Sequence, residues 1–458
     1  MTQDIIAIFD IGKTNKKILL FDQQLKLVFQ KEQKFEEISD EDGFPCDDIE
    51  KIENWIIALI DQLAEDPEYN LKAVNIATYG ASLAYIDSNG LRLTPVYNYL
   101  RPLPEDVLTG FYEGYGGVEE FSRNTASPVL GMLNSGVQIL WLKKHKPEVF
   151  AKVHAILHFP QYLCFLIHQK IQSEYTSIGC HTALWDFDKK CYHKWFADEK
   201  IILPAPVSND ETAEISIHGK NIRAGTGIHD SSSSLVPYLK GSTEPFILIS
   251  TGTWCIFMNP FNDEPLTIDQ LRQDALCYLS TNQKQVKSSR FFMGHMHDII
   301  VQQITSFFNK EPDSYKQVKA DEHIITEQHG KPVFFINSVD VDNIDSSAGL
   351  SVFASFEEAY HKLMIDLTLM GIKSLRLVIP ENDTTKSVYI TGGFARNEIF
   401  VRLLATLLPG KSVYASEIDN ATALGAAMII RHRAFSGNEP GTDLGLKKIV
   451  PFNFKSIY

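Results

Sequence analysis

The chain of 458 residues is short of four things. It has no apolar run of the roughly 20 residues that a membrane-spanning helix needs. It also lacks a secretory pattern, since the N-terminus passes straight into strand-like sequence. Its six cysteines (Cys46, Cys164, Cys180, Cys191, Cys255, Cys277) include no CxxC pair, which argues against a zinc site, and scattered free thiols fit a reducing compartment. Positive charge is scarce: 43 Lys and Arg face 57 Asp and Glu, a net −14, which argues against a general nucleic-acid or anionic-membrane binder. An anionic nucleotide is still admissible, because donors at one loop can outweigh distant surface charge. A soluble cytoplasmic protein with no nucleic-acid or membrane partner is expected.

What is present is core-forming residue. With 44% hydrophobic and 11% aromatic residues the chain can bury large cores, and its length suggests roughly two to four domains. Two stretches share one grammar. Ile5-Ile-Ala-Ile-Phe-Asp-Ile-Gly-Lys-Thr-Asn15 is an apolar strand running into Gly12, Lys13, Thr14 and Asn15, with a second strand at Ile18–Asp22. Phe246-Ile-Leu-Ile-Ser-Thr-Gly-Thr-Trp254 repeats it, and Cys255–Met258 continues as a strand. Such turns can gather N–H groups and hydroxyls around a phosphate. Two of them, one opening each half, suggest two related domains facing each other across that phosphate. Gly12-Lys13-Thr14 is not the end of a P-loop, because that pattern needs Gly where Ala7 stands and a helix where a hairpin follows. Asp10, closing the first strand, is either a loop cap or a magnesium-associated group.

Further elements follow from periodicity. Residues 50–66 and 355–378 read as helices, 73–77 and 413–415 as strands, 120–170 as mostly helical, and 260–285 as a polar excursion. Ser387–Asn397 is a strand ending in Gly392-Gly393 and opening a helix, where bare backbone would let a flat group lie close. Asn420–Met428 is a small-residue helix suited to close packing. Gly80 in Thr78-Tyr-Gly-Ala-Ser82 is a turn glycine or part of a small-molecule pocket, and Arg101 is a surface charge or a ligand. Glu174–Ala183 reads as a functional or capping segment. His158, His168 and His181 have no metal-ligand spacing and read as surface or core histidines. Gly225-Thr-Gly-Ile-His-Asp-Ser-Ser-Ser-Ser234 is the strongest chemical candidate. Asp230 at a helix start either caps it or serves as an anionic base for an attacking hydroxyl.

In this order the motifs resemble the FGGY carbohydrate kinases of the actin-like ATPase superfamily, over almost the whole length. Asp10–Asn15 is similar to their first phosphate loop, Ser250–Trp254 to the second, Thr391–Asn397 with Asn420–Ala427 to the adenosine segment, and Gly227–Asp230 to the stretch carrying the catalytic aspartate. The resemblance implies an α/β fold of two ribonuclease-H-like (actin-like ATPase) domains with an interdomain cleft. The expected division is 1–240 for sugar and catalytic base, and 241–458 for ATP. It implies ATP and Mg²⁺, with Asp230 as base and Asp10 near the metal. Gly12, Lys13, Thr14, Asn15, Thr251, Gly252, Thr253, Gly392, Gly393 and Asn397 would bind nucleotide, with N–H groups at Gly12 and Gly252 among the donors. Gly80, Ala81, Tyr97, Arg101 and His229 would line the sugar site. A monomer or homodimer is expected.

His229-Asp230 resembles the pair in L-rhamnulose and L-fuculose kinases, so a 6-deoxy-ketohexose is the leading substrate. The resemblance departs at Ala77 and Ser82, which stand where the rhamnulose-kinase segment has aspartates, at Tyr79, which replaces tryptophan, and at Asn98–Arg101. A kinase of another ketose or polyol, xylulose-like, is the alternative. A non-catalytic nucleotide-binding scaffold would leave Asp230 without a role. An acetate-type kinase would need a carboxylate-binding arginine, and Arg101, Arg290 and Arg396 form no evident constellation.

Overall fold

A computed structural model describes residues 2–335 and 349–453. The first half is built on β1 (Gln3–Ile11), β2 (Lys16–Phe21), β3 (Leu27–Gln33), β4 (Tyr69–Thr78), β5 (Thr212–Ile217) and β6 (Lys220–Gly225), in the order β5-β6-β4-β1-β2-β3. A short β7 (Ile228–His229) pairs along the end of β4. Strand β1 is central, and Ile5 to Phe9 are buried on both faces, which explains their unbroken apolar run. The second half repeats the plan with β8 (Phe246–Thr251), β9 (Cys255–Asn259), β10 (Ala275–Leu279), β11 (Gln285–Phe291), β12 (Ser387–Gly392), β13 (Ser412–Ser416) and β14 (Leu446–Lys448). Its order is β10-β11-β9-β8-β12-β13-β14. In both sheets the opening strand is antiparallel to the next strand and parallel to a later one (β4 or β12), which pairs in parallel with a further strand (β6 or β13).

Helices close the faces. α1 (Ile49–Glu65) starts where the Asp48 side chain accepts the Lys51 N–H, and it buries Ile52, Ile56, Ile60 and Leu63 at helical spacing. α2 (Ser135–His145) stops before Pro147, and α3 (Phe159–His168) carries Pro160 in its first turn. α4 (Asp230–Gly241) leaves the end of β7. The second half adds α5 (Met293–Phe307), α6 (Phe356–Arg376), α7 (Glu398–Leu407) and α8 (Ala421–Ala434). Among the described residues no helix is long and apolar enough to cross a membrane.

Helix α8 ties the halves together. Ala423, Ala426, Ala427 and Met428 pack on Ile6, Ile8, Leu19 and Ala77 of the first sheet. A Cβ on Gly425 would stand 1.9 Å from the Ser233 carbonyl, so α8 and α4 meet at backbone distance, the close packing its small residues predict. Two readings change. The 260–285 excursion contains β10, whose Ala275, Cys277 and Leu279 join a core cluster of the first half. Within 120–170, Ala155–His158 is a strand paired with Leu83–Ile86.

Candidate active site

The first loop closes on itself. The Gly12 N–H donates to the Asn15 carbonyl at 3.0 Å, so it is not a free donor for a phosphate. Lys13 is turned to carboxylates: its Nζ donates to Glu37 at 2.7 Å and to Asp47 at 3.1 Å. Asp47 further accepts from buried Lys16 at 2.8 Å and from the Tyr79 hydroxyl at 2.6 Å. Lys13 is thus one strut of a charge cluster under the loop. Thr14 is exposed, and the Asn15 side-chain oxygen is buried without a partner among the described residues.

The second loop has the same closure, Gly252 N–H to Trp254 carbonyl at 3.0 Å, so that N–H too is spent. Thr251 is turned inward: its hydroxyl donates to the Thr391 carbonyl and accepts the Phe394 N–H at 3.0 Å. It staples the Ser250–Trp254 loop to the Thr391–Asn397 loop, so the hydroxyl is already engaged. The Thr253 carbonyl accepts the Gly294 N–H at 3.1 Å, seating the start of α5 against the loop, and a Cβ on Gly294 would meet the Gly252 carbonyl at 2.2 Å. Gly392 has φ +87°, and a Cβ there would lie 1.9 Å from the Thr251 carbonyl; a Cβ on Gly393 meets nothing within 4 Å. Asn397 caps α7 by accepting the Phe400 N–H at 3.0 Å, and its amide donates to the Tyr360 hydroxyl at 2.8 Å, so both ends are committed within the protein. A cavity of about 530 Å³ lies between Gly252, Thr253, Gly294, Tyr315, Gly393 and Phe394. A second, of about 830 Å³, lies by Ser234, Ser250, Gly392 and Asn420; both reach Gly393 and Arg396. Gly294 and Tyr315 were not evident from sequence, since only their place beside the loop singles them out.

Across from these loops, β7 delivers His229 and Asp230 to the N-terminus of α4. The His229 N–H donates to Thr176 Oγ1 at 3.1 Å. Thr176 is held by the fully buried Glu174, which accepts from the Thr176 hydroxyl and from the N–H groups of Thr176 and Ser177. The Glu174–Ala183 segment therefore caps a short helix and positions the candidate base through one further residue. Gly80 lets backbone approach this group: a Cβ there would stand 3.1 Å from the His229 ring and 3.2 Å from Cys180 Sγ. Ala81, with φ +61°, is fixed by Gln138, which donates to its carbonyl at 2.7 Å. His181, read from sequence as unremarkable, lies with its Nδ1 3.3 Å from Cys180 Sγ.

The carboxylates are electrostatically coupled. Asp230 is 31% exposed, and its carboxyl is pushed up to about 6 by burial, partly offset by hydrogen bonds from Ser231. Those bonds reach only the next residue, so Asp230 makes no capping bond deeper in α4. Asp10 is pushed up to about 7, first by burial and then by the charge of Asp230, with Lys17 acting the other way. Burial lowers His229 to about 4, so its imidazole is neutral.

Two residues expected at the sugar site are engaged within the protein. Tyr97 is fully buried with its hydroxyl donating to Glu41. Arg101 binds Asp40 at 2.6 Å and Asp42 at 2.7 Å, and its guanidinium lies over Phe44 and Trp141. Both serve a structural cluster, because a buried guanidinium needs paired carboxylates.

Comparison with known proteins places this arrangement. The profile described as FGGY family of carbohydrate kinases, N-terminal domain, matches residues 5–218, and that described as Carbohydrate kinase FGGY, C-terminal domain, matches 243–439. A rhamnulokinase of Oceanobacillus iheyensis is 23% identical, covering 92% of this chain and 91% of its own. One of Halalkalibacterium halodurans is 22% identical with 91% of each covered. Among solved structures, a carbohydrate kinase from Novosphingobium aromaticivorans superposes with TM-score 0.79 at 21% identity, covering 98% and 97% of the two chains. A xylulose kinase from Lactobacillus acidophilus superposes with TM-score 0.76 at 16% identity, covering 97% and 92%. The repeated sheets carry the actin-like ATPase fold, and the chain belongs to the FGGY family of carbohydrate kinases, enzymes that transfer a phosphoryl group to a sugar.

Proposed function

We propose that this sugar kinase phosphorylates a hydroxyl of a ketose, with a 6-deoxy-ketohexose of the L-rhamnulose or L-fuculose type as the preferred acceptor. The observation that carries the reading is the His229-Asp230 pair at the start of α4, set against the bare backbone of Gly80. The rhamnulokinases among the relatives support the choice of acceptor. Residues 1–240 would hold the sugar and 241–458 the nucleotide. Of the donors expected at the phosphates, exposed Thr14 and Thr253 remain available, while Gly393 offers bare backbone to a flat base in the cavity that Tyr315 and Phe394 line.

In the reaction, Asp230 takes the proton of the sugar hydroxyl as its oxygen bonds to Pγ. The bond from Pγ to the bridging oxygen breaks, and ADP leaves with that electron pair. Catalysis then rests on positioning and charge stabilisation. The residues fit a magnesium ion: Asp10 and Asp230 are neighbouring carboxylates that repel, and Mg²⁺ is commonly held by one or two carboxylates and water. Asp10 would hold it, and the ion would neutralise charge on the phosphate oxygens.

The test is ADP release measured over a panel of ketoses and polyols. The highest kcat/KM should fall on a 6-deoxy-ketohexose. A maximum on xylulose or a polyol would reassign the acceptor, and no sugar-dependent release at all would remove the catalytic reading of Asp230.

A further inference from the structure

Behind His229 a line of polar groups crosses both halves. The Ser232 hydroxyl lies 3.0 Å from the Leu279 carbonyl at the end of β10, and 3.3 Å from His229 Nδ1. His229 Nε2 lies 3.1 Å from Cys180 Sγ, which lies 3.3 Å from His181 Nδ1. Ser232, His229 and Cys180 are all buried, so water does not compete for these contacts.

One end of this line can only accept, because a carbonyl carries no proton. The Ser232 hydroxyl has one proton, and the shorter of its two contacts goes to that carbonyl. Its oxygen therefore meets Nδ1 of His229 with a lone pair. Two facing lone pairs repel, so Nδ1 must carry the ring proton. A neutral imidazole has one N–H, which leaves Nε2 as an acceptor for the thiol proton of Cys180. The sulfur, having donated, accepts from Nδ1–H of His181, and Nε2 of His181 keeps its lone pair. Burial supports the protonation states: it lowers both imidazoles and, with the charges of Asp230 and Glu174, holds Cys180 as the thiol. Asp230 Oδ1 is also 3.2 Å from His229 Nε2, but the hydrogen bond of that nitrogen runs to sulfur.

We propose that Ser232 is a positioning residue that, with the Leu279 carbonyl, holds His229 and, through Cys180, His181 as their Nδ1–H tautomers. His229 then accepts from Cys180 at Nε2, His181 keeps its Nε2 lone pair for a hydroxyl proton, and Asp230 receives no N–H from His229 that would compete with its substrate. The role in catalysis rests on the sugar-kinase reading; the tautomers do not.

Two-bond ¹H–¹⁵N spectra of full-length protein labelled at its 14 histidines, with His229→Gln and His181→Gln for assignment, test the line directly. Wild type should show both rings as Nδ1–H. Ser232→Ala should release both, Ser232→Thr should restore them, and Cys180→Ala should release His181 alone. In kinetics, Ser232→Ala should lower kcat/KM for the best ketose by roughly tenfold, about one lost hydrogen bond, with KM for ATP unchanged. An Nε2–H His229 in wild type would overturn the proposal, as would a Ser232→Ala protein with both tautomers unchanged. If Ser232→Ala does not fold, wild type and Cys180→Ala still decide it. The spectra need no substrate, so failure of the sugar-kinase reading would appear in the kinetics alone.

Discussion

The two loops that face the cleft occupy the same station in the two sheets and are built from opposite materials. Asp10 stands two residues before Gly12, and Ser250 two residues before Gly252; each glycine N–H closes its own turn at 3.0 Å. Around the first loop the side chains are charged: Asp10, Lys13, Lys16 and Asp47, with Asp230 acting on Asp10. Around the second they are mostly neutral: Thr251 and Thr391 joined by hydroxyl and carbonyl, and Trp254 stacked on Phe292 at 4.2 Å, with the charged Arg290 guanidinium over the Trp254 ring at 5.2 Å. Under the proposed function, one topology would thus yield a half whose charged side chains move a proton and a half whose bare backbone at Gly393 and exposed Thr253 face the nucleotide. The teaching is that the repeat supplies geometry, while side chains two or three positions from the glycine decide the chemistry.

The largest break in this asymmetry should come from Asp230→Asn. It keeps the shape but removes the proton acceptor, so kcat should fall by roughly 10²–10⁴ with KM for ATP little changed. Because Asp230 makes no capping bond beyond Ser231, stability should barely move. A folded variant with near wild-type turnover would leave the first half without its acid–base role.

Next in size is Asp47→Asn, which targets the charge cluster rather than the chemistry. Lys16 is 1% exposed and Asp47 4%, so the change strands a buried ammonium. Breaking a buried pair from one side costs about 3–5 kcal/mol. Denaturant unfolding should report that loss. A cost below about 1 kcal/mol would show that Lys16 reaches water and that the first loop does not depend on the cluster.

A paired substitution probes the second half. Gly392 has φ +87° and ψ −162°, a region essentially confined to glycine, so Gly392→Ala should cost on the order of 1–3 kcal/mol before its clash with Thr251 is added. Gly393→Val places its side chain in open space, so the fold should survive while nucleotide affinity is lost and sugar affinity kept. Calorimetry with each ligand separates the two. Unchanged ATP affinity in Gly393→Val would move the base to the larger cavity beside Ser250 and Asn420.

These contrasts mark what could be read from sequence. The strand–turn units at Asp10–Asn15 and Ser250–Trp254 were legible because apolar runs ending in glycine and hydroxyl residues are local signals, and α1 and α6 because their periodicity is long. Strand β10 was not, because its Ala275, Cys277 and Leu279 are buried by residues of the other half. The uses of Thr251, Asn397 and Arg101 were not legible either. Each is decided by a partner far along the chain: Thr391 for Thr251, Tyr360 for Asn397, Asp40 and Asp42 for Arg101. A side chain's residue type permits a phosphate contact; only its neighbours in space show that it is already engaged. Cys180 and His181 show the converse, since nothing in their spacing links them to His229 49 residues from Cys180, yet the fold brings all three together.

The smallest expected effect tests the least intuitive feature of the first loop, a lysine in the proposed phosphate loop that is turned to carboxylates. Lys13 is 23% exposed, and its partner Glu37 is 45% exposed, so this ion pair is worth only about 0–1 kcal/mol. Removing Lys13 leaves Asp47 bound to Lys16 and Tyr79, so the cluster persists. Lys13→Ala should therefore lower stability by less than about 1 kcal/mol and raise KM for ATP only a few-fold, with kcat largely retained. The mechanism of that small rise is long-range attraction, and added salt should shrink it. Complete loss of kcat in a folded Lys13→Ala protein would mean that Lys13 leaves Asp47 and Glu37 when ATP binds. The two halves would then differ less than their resting side chains indicate, with each loop sending a direct donor to the phosphates.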